Sequence, residues 1–358
     1  MGINVLVVDD SAFMRQLIKQ MLESDPGIKV VGVATDGLDA LKKIDFYQPH
    51  VVTLDLEMPR MDGLTFLAEI MGKRPLPVVV VSSLAVEGGE QTLQALELGA
   101  VDFITKPVSR PSEALWRIQD ELVHKVKAAA GVKPEIIRQS LTAAPVAEKA
   151  FTDRLPAGVV AIGSSTGGPR ALRFLLSQLP ADFPWGIIIA QHLPKEFIKS
   201  FTERLDSLSM LKVEVATEAA ELLPGHVFVA PAGLQTGVVR RGGKFLIQLK
   251  ESDALYRPSV DYLFESVAAA SKKRTVGVLL TGMGADGAYG LKIIKEAGGI
   301  TIAEAPTTCV IYGMPRVAVE MGAVHYQLPL PDIPGCLSSV LARFSQNKKM
   351  RVGSDEIS

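Results

Sequence analysis

An apolar run that ends in a glycine-bounded serine turn is the feature that most constrains the fold of this chain. Val159–Ile162 is apolar and rich in β-branched residues, which is typical of a strand buried on both faces. Gly163–Gly167 then matches the pattern G-x-S-x-G, with Ser165 at its centre. Pro169 opens an apolar pattern of helical spacing, and proline fits the first position of a helix. The segment predicts a strand, a tight turn and a helix, with the Ser165 hydroxyl at the carboxyl edge of a sheet.

Two interpretations of this turn remain open from the segment alone. Ser165 is a candidate nucleophile, because a strand-turn-helix bend of this kind exposes a serine oxygen. The turn also fits an ordinary strand-to-helix connection, or a glycine-rich cradle that binds phosphate at a helix N-terminus. The rest of the chain has to decide between them.

The composition is that of a globular protein with two domains. The chain has 358 residues, of which 47% are hydrophobic and 22% are charged. Its net charge of -1 provides no basic field for nucleic acid, so we expect no nucleic-acid partner. Cys309 and Cys336 are too few for a disulfide framework, and we expect both to be small buried hydrophobes.

The chain carries no pattern of a secreted or membrane-embedded protein. Met1–Asn4 leads directly into an apolar strand, without the charged and apolar regions of a signal peptide. No window holds the run of about 18 apolar residues that a membrane-spanning helix requires. We therefore expect a cytoplasmic protein that is not embedded in a membrane, and we expect a monomer.

Residues 1–126 alternate apolar strands with amphipathic helices. Strands are predicted at Ile3–Val8, Lys29–Ala34, Val51–Leu54, Val78–Ser82 and Val101–Thr105, and helices at Ala12–Glu23, Gly37–Phe46, Gly63–Met71, Glu90–Leu98 and Ser112–Lys127. This alternation predicts an α/β domain, a doubly wound parallel sheet with helices on both faces. Residues 127–154 interrupt the pattern with alanine, glycine and proline, which indicates a linker.

Polar side chains gather where the strands of this first domain end. Asp9 and Asp10 follow the first strand, Asp55 follows the third, Ser82 closes the fourth and Lys106 follows the fifth. In a parallel sheet these residues meet at one edge. Crowded carboxylates repel each other unless a cation lies between them, and oxygen ligands suit Mg²⁺. One acid could then accept a phosphoryl group, which a lysine would neutralise and a serine hydroxyl would bind.

This first domain resembles the receiver domain of two-component response regulators, which has a flavodoxin-like fold. The matching residues are Asp9-Asp10, Asp55, Met58-Pro59, Asp62-Gly63, Ser82 and Lys106-Pro107. The resemblance implies that Asp55 accepts a phosphoryl group from a chemotaxis histidine kinase. It also implies an Mg²⁺ ion held by Asp9, Asp10, Asp55 and the Glu57 carbonyl.

The resemblance assigns roles to three further positions of the first domain. Ser82 and Lys106 would sense the phosphate, and the Lys106–Pro107 bond would be cis. Phe103 stands where the family has its rotameric aromatic residue, and a core phenylalanine explains it equally well.

Residues 155–346 form a second alternation of strands and helices. After the strand that precedes Ser165, strands are predicted at Gly186–Ala190, Thr275–Leu280, Gly299–Ala303 and Val324–Gln327, a hairpin at Val238–Ile247, and helices at Glu196–Leu205, Val260–Ala270 and Ile333–Phe344. The pattern predicts a second doubly wound parallel sheet, in a three-layer α/β/α domain. Residues 347–358 are charged, and we expect a disordered tail.

Ser165, His192 and Asp286 each follow a predicted buried strand, so a parallel sheet would place them at one edge. A hydroxyl nucleophile, an imidazole that takes its proton and a carboxylate that orients the imidazole form a catalytic triad. Each residue alone has an ordinary explanation, since a lone histidine is most often structural and Asp286 is a candidate helix N-cap. The three together favour the triad. Backbone N–H groups near Thr166 and Met283 are candidates for an oxyanion hole.

The second domain resembles the catalytic domain of CheB-type protein-glutamate methylesterases. The matching segments are Ile162–Pro169, Gln191–Pro194, Pro231–Gly233, Leu280–Gly287 and Gly313–Arg316. Ser164 stands where the family often has alanine, whereas Ser165 alone matches the nucleophile. The resemblance implies a phosphorylation-activated hydrolase without a cofactor in this domain. Its substrates would be glutamate methyl esters, and some glutamines, on methyl-accepting chemoreceptors, and its role sensory adaptation.

Two other classes of function stay open at this point. A receiver joined to a DNA-binding module is a common arrangement, but the near-neutral charge and the absence of a basic recognition-helix pattern count against it. The second is a non-enzymatic domain that binds an anionic ligand on the glycine turn. Labelling of Ser165 by a fluorophosphonate would exclude that role.

Overall fold

The computed structural model describes residues 2–82, 86–106, 112–138 and 158–355. The chain divides into two compact units, Met1–Ser140 and Leu141–Ser358. None of the helices within the described ranges is long and apolar enough to cross a membrane.

The first unit is a parallel sheet of five strands with helices between them. The strands are β1 (Ile3–Val8), β2 (Ile28–Ala34), β3 (Val51–Leu54), β4 (Val78–Ser82) and β5 (Asp102–Thr105). The helices are α1 (Ala12–Glu23), α2 (Gly37–Tyr47), α3 (Gly63–Lys73), α4 (Val86–Leu98), α5 (Ser112–Ala130) and α6 (Pro134–Arg138). The strand order is β2-β1-β3-β4-β5, and every pairing is parallel. The predicted doubly wound sheet is confirmed.

Side-chain caps set the starts of the first three helices of this unit. Ser11 Oγ accepts a hydrogen bond from Met14 N at 3.4 Å. Carboxylates cap the next two helices, because the side chains of Asp36 and Asp62 accept from the backbone N–H groups of Asp39 and Thr65. These bonds satisfy donors that a helix leaves unpaired at its first turn.

Part of the segment assigned to the linker is helical and packs on the first unit. The helix α5 continues past residue 127 to Ala130, where Gly131 follows it. The short α6 buries Ile136 and Ile137, each 8% exposed. These two isoleucines give α6 an apolar face, whereas the sequence pattern of residues 127–154 indicates only a linker. Residues 139–157 lie outside the described ranges.

The second unit contains a parallel sheet of seven strands and a separate hairpin. The strands are β6 (Val159–Ser164), β7 (Gly186–Gln191), β8 (Lys212–Val215), β9 (His226–Val229), β10 (Gln235–Arg241), β11 (Lys244–Lys250), β12 (Thr275–Leu279), β13 (Ile300–Glu304) and β14 (Tyr326–Leu328). The helices are α7 (Gly168–Ser177), α8 (Lys195–Leu208), α9 (Val260–Ser271), α10 (Ala288–Glu296), α11 (Met314–Glu320) and α12 (Ile333–Asp355). The large sheet has the order β14-β13-β12-β6-β7-β9-β8, and its pairings are all parallel.

The strand β6 marks the point where the order of this sheet reverses. The chain proceeds from β6 to β7 on one side, and later returns to place β12 on the other side of β6. The connections leaving β6 and β12 therefore diverge to opposite sides of a crevice. Ligands of doubly wound sheets bind at such a crevice, at the carboxyl ends of the strands.

The hairpin of β10 and β11 has the predicted two-glycine turn. Gly242 and Gly243 have φ angles of 57° and 83°. Positive φ at both positions is the requirement of a type I′ turn, whose twist matches that of the strands. The hairpin packs on α9, since Ser266 Oγ accepts from Val238 N at 3.0 Å.

Three elements of the second unit, β8, β9 and α11, were not predicted from the sequence, and the helix α12 is longer than expected. The strands β8 and β9 have only four residues each, and α11 has seven, which is too short for a clear period. The helix α12 continues through Asp355, into the segment for which we expected disorder. Its lysine, methionine and arginine residues are good helix formers, and no proline interrupts them.

The two cysteines differ in their surroundings. Cys309 is buried, as expected, and burial raises the pKa of its thiol. Cys336 is only half-buried, and both are free thiols.

Candidate functional site

The serine turn joins β6 to α7 in the way the sequence pattern predicts. Gly167 precedes the helix with a φ of 78°, a conformation that favours glycine. A Cβ on Gly168 would lie 2.0 Å from Gln191 Oε1, so only glycine fits there. The helix begins at Gly168, which makes Pro169 its second residue instead of its first. Proline is tolerated there because the N–H groups of the first turn have no helical partners.

The two adjacent serines have different surroundings. Ser164 is fully buried, and its hydroxyl donates to Gln191 Oε1 at 2.6 Å. Ser165 is half-buried, and its hydroxyl makes no hydrogen bond to any described residue. Only Ser165 therefore has a hydroxyl available to a substrate.

The Gln191 carboxamide ties the serine turn to the end of β7. Its Nε2 donates to the carbonyl oxygens of Ser165 and His192, each at 3.0 Å. The backbone adds a bond from His192 N to Ser164 O at 3.1 Å. These contacts hold the residues that follow β6 and β7 side by side.

His192 and Asp286 form a hydrogen-bonded pair at the same edge of the sheet. His192 Nε2 lies 2.8 Å from Asp286 Oδ2, and Asp286 is 7% exposed. Burial alone would raise the pKa of the Asp286 carboxyl, but the hydrogen bonds from His192, Asp261 and Val260 outweigh it and lower that pKa. Asp286 is therefore an ionised partner suited to a protonated imidazole.

The N-terminus of α9 supplies the remaining partners of Asp286. Oδ2 accepts from Val260 N at 2.8 Å, while Oδ1 accepts from Asp261 N at 3.0 Å and from Ser259 Oγ at 2.9 Å. A helix N-terminus carries a partial positive charge and unpaired N–H groups, both of which stabilise a carboxylate. Glycine at position 163 lets the start of α9 pack closely on β6, because a Cβ there would lie 2.1 Å from Val260 Cγ1.

Asp286 is not the N-cap of the helix that follows it in sequence. The residue before α10 is Gly287, with a φ of 91°, and no side chain caps that helix. The alternative considered from sequence is thus wrong for α10. The carboxylate instead binds the start of a different helix, α9, from which it is separated by more than two dozen residues.

The turn after β12 closes the site on the other side of Ser165. Thr281 O accepts from Ser165 N at 3.1 Å, and Thr281 Oγ1 donates to Thr166 O at 3.0 Å. A Cβ on Gly282 would lie 2.9 Å from Ser165 Cβ, so glycine is needed for this close contact. Thr166 is buried and Met283 half-buried, and both lie in the turns that flank Ser165.

Three contributors to this site were not identified from the sequence. Tyr256 stacks on the His192 ring, Ser259 binds Asp286, and Glu304 accepts a hydrogen bond from Thr281 N. The position of Ser259 before the predicted helix at Val260 was a usable signal, because serine is a preferred N-cap. Glu304 directly follows the predicted strand Gly299–Ala303, at the edge where the candidate triad lies. Tyr256 lies in an irregular loop and gave no signal.

The acidic cluster of the first unit is assembled as the strand ends suggest. Asp9, Asp10 and Asp55 each offer a ligand oxygen within 4.8 Å of the others. Lys106 Nζ lies 2.6 Å from Asp55 Oδ2 and 3.1 Å from Asp9 Oδ2. Burial raises the pKa of Asp55 to about 6, against the opposing effect of Lys106. The ion pairs with these two aspartates outweigh burial and raise the pKa of Lys106.

Of the other candidate residues of the first unit, Glu57 and Ser82 contact residues of this cluster, and Phe103 lies in β5. Glu57 N donates to Asp55 Oδ1 at 3.3 Å. Ser82 is buried at the end of β4 and accepts from Thr92 Oγ1 at 2.7 Å. Phe103 is buried, with Lys125 Nζ 5.3 Å from its ring centroid. Pro107, before which the resemblance implies a cis bond, lies outside the described residues.

The fold and these two sites define a class of protein: a receiver domain joined to a second doubly wound α/β domain that has a serine, a histidine and an aspartate at the switch point of its sheet. Residues 5–116 match the response regulator receiver domain family, and residues 160–337 match the CheB methylesterase family. The chain belongs to the family of the CheB methylesterases.

Full-length relatives and a solved structure agree with this assignment. A protein-glutamate methylesterase/protein-glutamine glutaminase of Symbiobacterium thermophilum is 48% identical over 94% of this chain and 96% of its own length. A Pseudomonas aeruginosa protein of the same name is 44% identical over 98% of this chain and all of its own length. The crystal structure of the Thermotoga maritima CheB methylesterase catalytic domain covers 51% of this chain and 98% of its own, with 42% identity and a TM-score of 0.50.

Proposed function

We propose that this chain removes methyl groups from glutamate γ-methyl esters of chemoreceptors, and deamidates some of their glutamines, with Ser165 as the nucleophile. The observation that carries the catalytic assignment is the His192–Asp286 hydrogen bond of 2.8 Å, made beside the half-buried Ser165 turn. The relatives named as methylesterase and glutaminase support both substrates. Both are γ-carbonyl compounds with a small leaving group, so one acyl-enzyme route serves them.

The reaction proceeds in two stages on the same residues. Ser165 Oγ attacks the γ-carbonyl carbon while His192 takes its proton, and the imidazolium then protonates the departing methoxide or amide, which leaves as methanol or ammonia. A water molecule then attacks the acyl-enzyme with His192 as base, which releases the glutamate carboxyl and restores Ser165. Because Asp286 occupies Nε2, the proton transfers fall to Nδ1 of His192.

Asp286 orients the imidazole and stabilises its charged form. Its carboxylate is held on both oxygens, by three donors at the start of α9 as well as by His192. A rigidly held carboxylate keeps the ring in one plane and keeps its neutral form in one tautomer. The developing negative charge on the carbonyl oxygen requires its own donors, and the backbone N–H groups of Thr166 and Met283 are the candidates.

The first unit supplies regulation through Asp55. We assign Asp55 as phosphoryl acceptor, and Asp9, Asp10, Asp55 and the Glu57 carbonyl as the holders of Mg²⁺. Three carboxylates whose oxygens lie within 4.8 Å of one another support the Mg²⁺ assignment, and two of these residues are buried. Such a concentration of negative charge favours a divalent cation. When bound, Mg²⁺ would neutralise negative charge on the phosphoryl oxygens. Lys106, already 2.6 Å from Asp55, provides a second positive charge for the same group.

Phosphorylation of Asp55 is proposed to release a restraint that the receiver imposes on the hydrolase. The phosphodonor would be a chemotaxis histidine kinase. The chain would act in the cytoplasm, as a monomer. A phosphoryl group adds roughly two negative charges next to Lys106 and Ser82, which are placed to respond to it. Such a change shifts an equilibrium between resting and active forms by about 1–3 kcal/mol in typical cases.

The decisive experiment measures methanol released from membranes that contain methylated chemoreceptors. We expect release by the full-length chain, acceleration by a small-molecule phosphodonor, and loss of both in Ser165→Ala. Labelling of the wild-type chain by a fluorophosphonate, absent from Ser165→Ala, identifies the nucleophile independently. Methanol release by Ser165→Ala at the wild-type rate would contradict the assignment.

A further inference from the structure

A buried carboxyl group lies directly behind the serine turn and has no part in the triad. Glu304, the last residue of β13, is fully buried. Its Oε2 accepts a hydrogen bond from Thr281 N at 2.8 Å. Its Oε1 is also buried and has no hydrogen-bond partner among the described residues. Burial of an ionised carboxyl with an unpaired oxygen costs folding free energy, and the neutral form reduces that cost.

The residue that Glu304 holds is the one that connects the two turns of the catalytic site. Thr281 accepts the Ser165 N–H through its carbonyl oxygen, and its hydroxyl lies 3.0 Å from Thr166 O. The same hydroxyl accepts from Ile311 N at 2.9 Å. The next residue, Gly282, lies against Ser165 Cβ. A displacement of Thr281 would therefore move the nucleophile and both candidate oxyanion donors together.

We propose that Glu304 is a positioning residue for the hydrolysis, that its carboxyl group holds Thr281 against the serine turn, and that its neutral form supports catalysis. The inference rests on the proposed function of Ser165. A neutral carboxyl still accepts the Thr281 N–H bond through Oε2. An ionised one would add a buried negative charge behind the place where the substrate oxygen becomes negative, and would raise the barrier.

The surroundings of Glu304 favour the neutral form. Burial raises the pKa of Glu304 to about 7, although the Thr281 N–H, Thr308, Cys309 and the positive charge of Arg170 act in the opposite direction. Cys309 is neutral, because burial raises the pKa of its thiol. Arg170 is the cation that faces Glu304, and Arg173 is the next charge along α7. The carboxyl therefore changes charge within the range in which the enzyme can be assayed.

The test compares three full-length variants by the pH dependence of methanol release. Glu304→Gln keeps an oxygen acceptor for Thr281 N and cannot ionise. Glu304→Leu removes the acceptor at similar volume. Glu320→Gln makes the same chemical change on the exposed face of α11, where Arg316 is the ion-pair partner of Glu320 among the described residues, and serves as the control.

We expect the wild-type kcat to fall roughly tenfold as the pH rises from 6.5 to 8.5, because the ionised Glu304 repels the negative charge that develops on the substrate oxygen. Glu304→Gln should lack this fall and match the wild type near pH 6.5, while Glu320→Gln should retain it. Glu304→Leu should lower kcat at every pH with little change in KM, because substrate contacts are unaffected. The receiver is the same in all variants, so its own pH dependence cancels in the comparison.

Thermal unfolding separates a positioning role from a purely structural one. If Glu304 only stabilises the fold, Glu304→Gln will alter the unfolding temperature and leave the pH profile of kcat unchanged, which would overturn the proposal. An unchanged kcat in folded Glu304→Leu would overturn it as well. Failure of the proposed function has a different result, namely methanol release that persists in Ser165→Ala.

Discussion

The imidazole of His192 lies flat against the phenol ring of Tyr256, with ring centroids 4.7 Å apart and an angle of 1° between the planes. Gln235 fixes the loop that carries Tyr256. Its Nε2 donates to Tyr256 O at 2.7 Å, and its Oε1 accepts from Ser259 N at 2.8 Å. One buried glutamine thus links the loop to the start of α9. The ring plane of His192 is restrained by this stack as well as by Asp286.

Removal of the Tyr256 ring should slow catalysis without loss of folding. An aromatic stack is worth about 0.5–1.5 kcal/mol, so Tyr256→Ala should lower kcat by roughly two- to tenfold. Tyr256→Phe keeps the ring and should retain nearly all activity. The control is Tyr289→Ala on α10, where the tyrosine is 51% exposed. Equal kcat values for Tyr256→Ala and Tyr256→Phe, measured by methanol release, would show that the stack is not used.

The two neighbouring serines should separate activity from stability. Ser165→Ala should abolish turnover and leave the unfolding temperature nearly unchanged, because its hydroxyl is unbonded within the described chain. Ser164→Ala should keep most activity but lose about 1–3 kcal/mol of unfolding free energy, since Gln191 Oε1 loses its buried donor. Denaturant unfolding and methanol release on both variants check this. Loss of turnover in Ser164→Ala would mean that the nucleophile is misassigned.

Asp286→Asn should impair both catalysis and stability, in contrast to Ser165→Ala. One asparagine oxygen cannot replace two carboxylate oxygens that accept four hydrogen bonds. We expect kcat to fall by roughly 10²–10⁴-fold and a residual rate above that of Ser165→Ala, because Asp286 forms no bond with the substrate. Turnover equal to the wild type would make Asp286 a structural residue alone.

The same residue should make stability depend on acid pH. The folded pKa of Asp286 is lower than its ordinary value of 3.8, so its carboxylate stabilises the fold above that value. This stabilisation is lost as the pH falls through the folded pKa, where the folded state must take up the proton as well. The unfolding free energy of Asp286→Asn should therefore decline less than that of the wild type below about pH 4. Parallel pH curves for the two proteins would contradict the lowered pKa.

Asp55→Asn should hold the full-length enzyme at its resting rate even with a small-molecule phosphodonor. The change removes the proposed phosphoryl acceptor and its ion pair with Lys106. Asp45→Asn is the matched control, because the Asp45 side chain is 82% exposed and its ion-pair partner within the described ranges is Arg74. The ratio of methanol release with and without phosphodonor is the readout. Activation that survives in Asp55→Asn would place the acceptor elsewhere.

The architecture and the candidate triad could be predicted because each depends on local patterns. The strands β6, β7 and β12 are apolar runs; Ser165 and His192 directly follow β6 and β7, and Asp286 lies in the turn that follows β12, so the sheet brings these segments to one edge. The acidic cluster of the first unit follows from the same rule. Glycine at positions 163 and 167 marked the tight turn, although the sequence could not tell which side chains fill the space around it.

The partners of the triad depend on contacts between distant segments, which no local pattern encodes. Ser259 and Glu304 reach Asp286 and Thr281 only after α9 and β13 are in place. Tyr256 lies in an irregular loop, where neither spacing nor charge distinguishes it from solvent-exposed tyrosines. The apolar face of α6 was not predicted for a related reason, because two isoleucines become an apolar face only when the rest of the first unit is there to cover them.

The carboxylate of Asp286 has consequences for how such a protein can diverge. Because it accepts hydrogen bonds from the start of α9 as well as from His192, the proposed catalytic base, substitution at this position would be selected against even in a copy that no longer hydrolyses a substrate. Among the described residues, the Ser165 hydroxyl makes no hydrogen bond and the His192 ring bonds only to Asp286, so these two side chains make fewer polar contacts with the rest of the fold. A descendant that retained the fold as a binding protein would therefore be expected to lose the serine or the histidine first and to keep the aspartate as a relic.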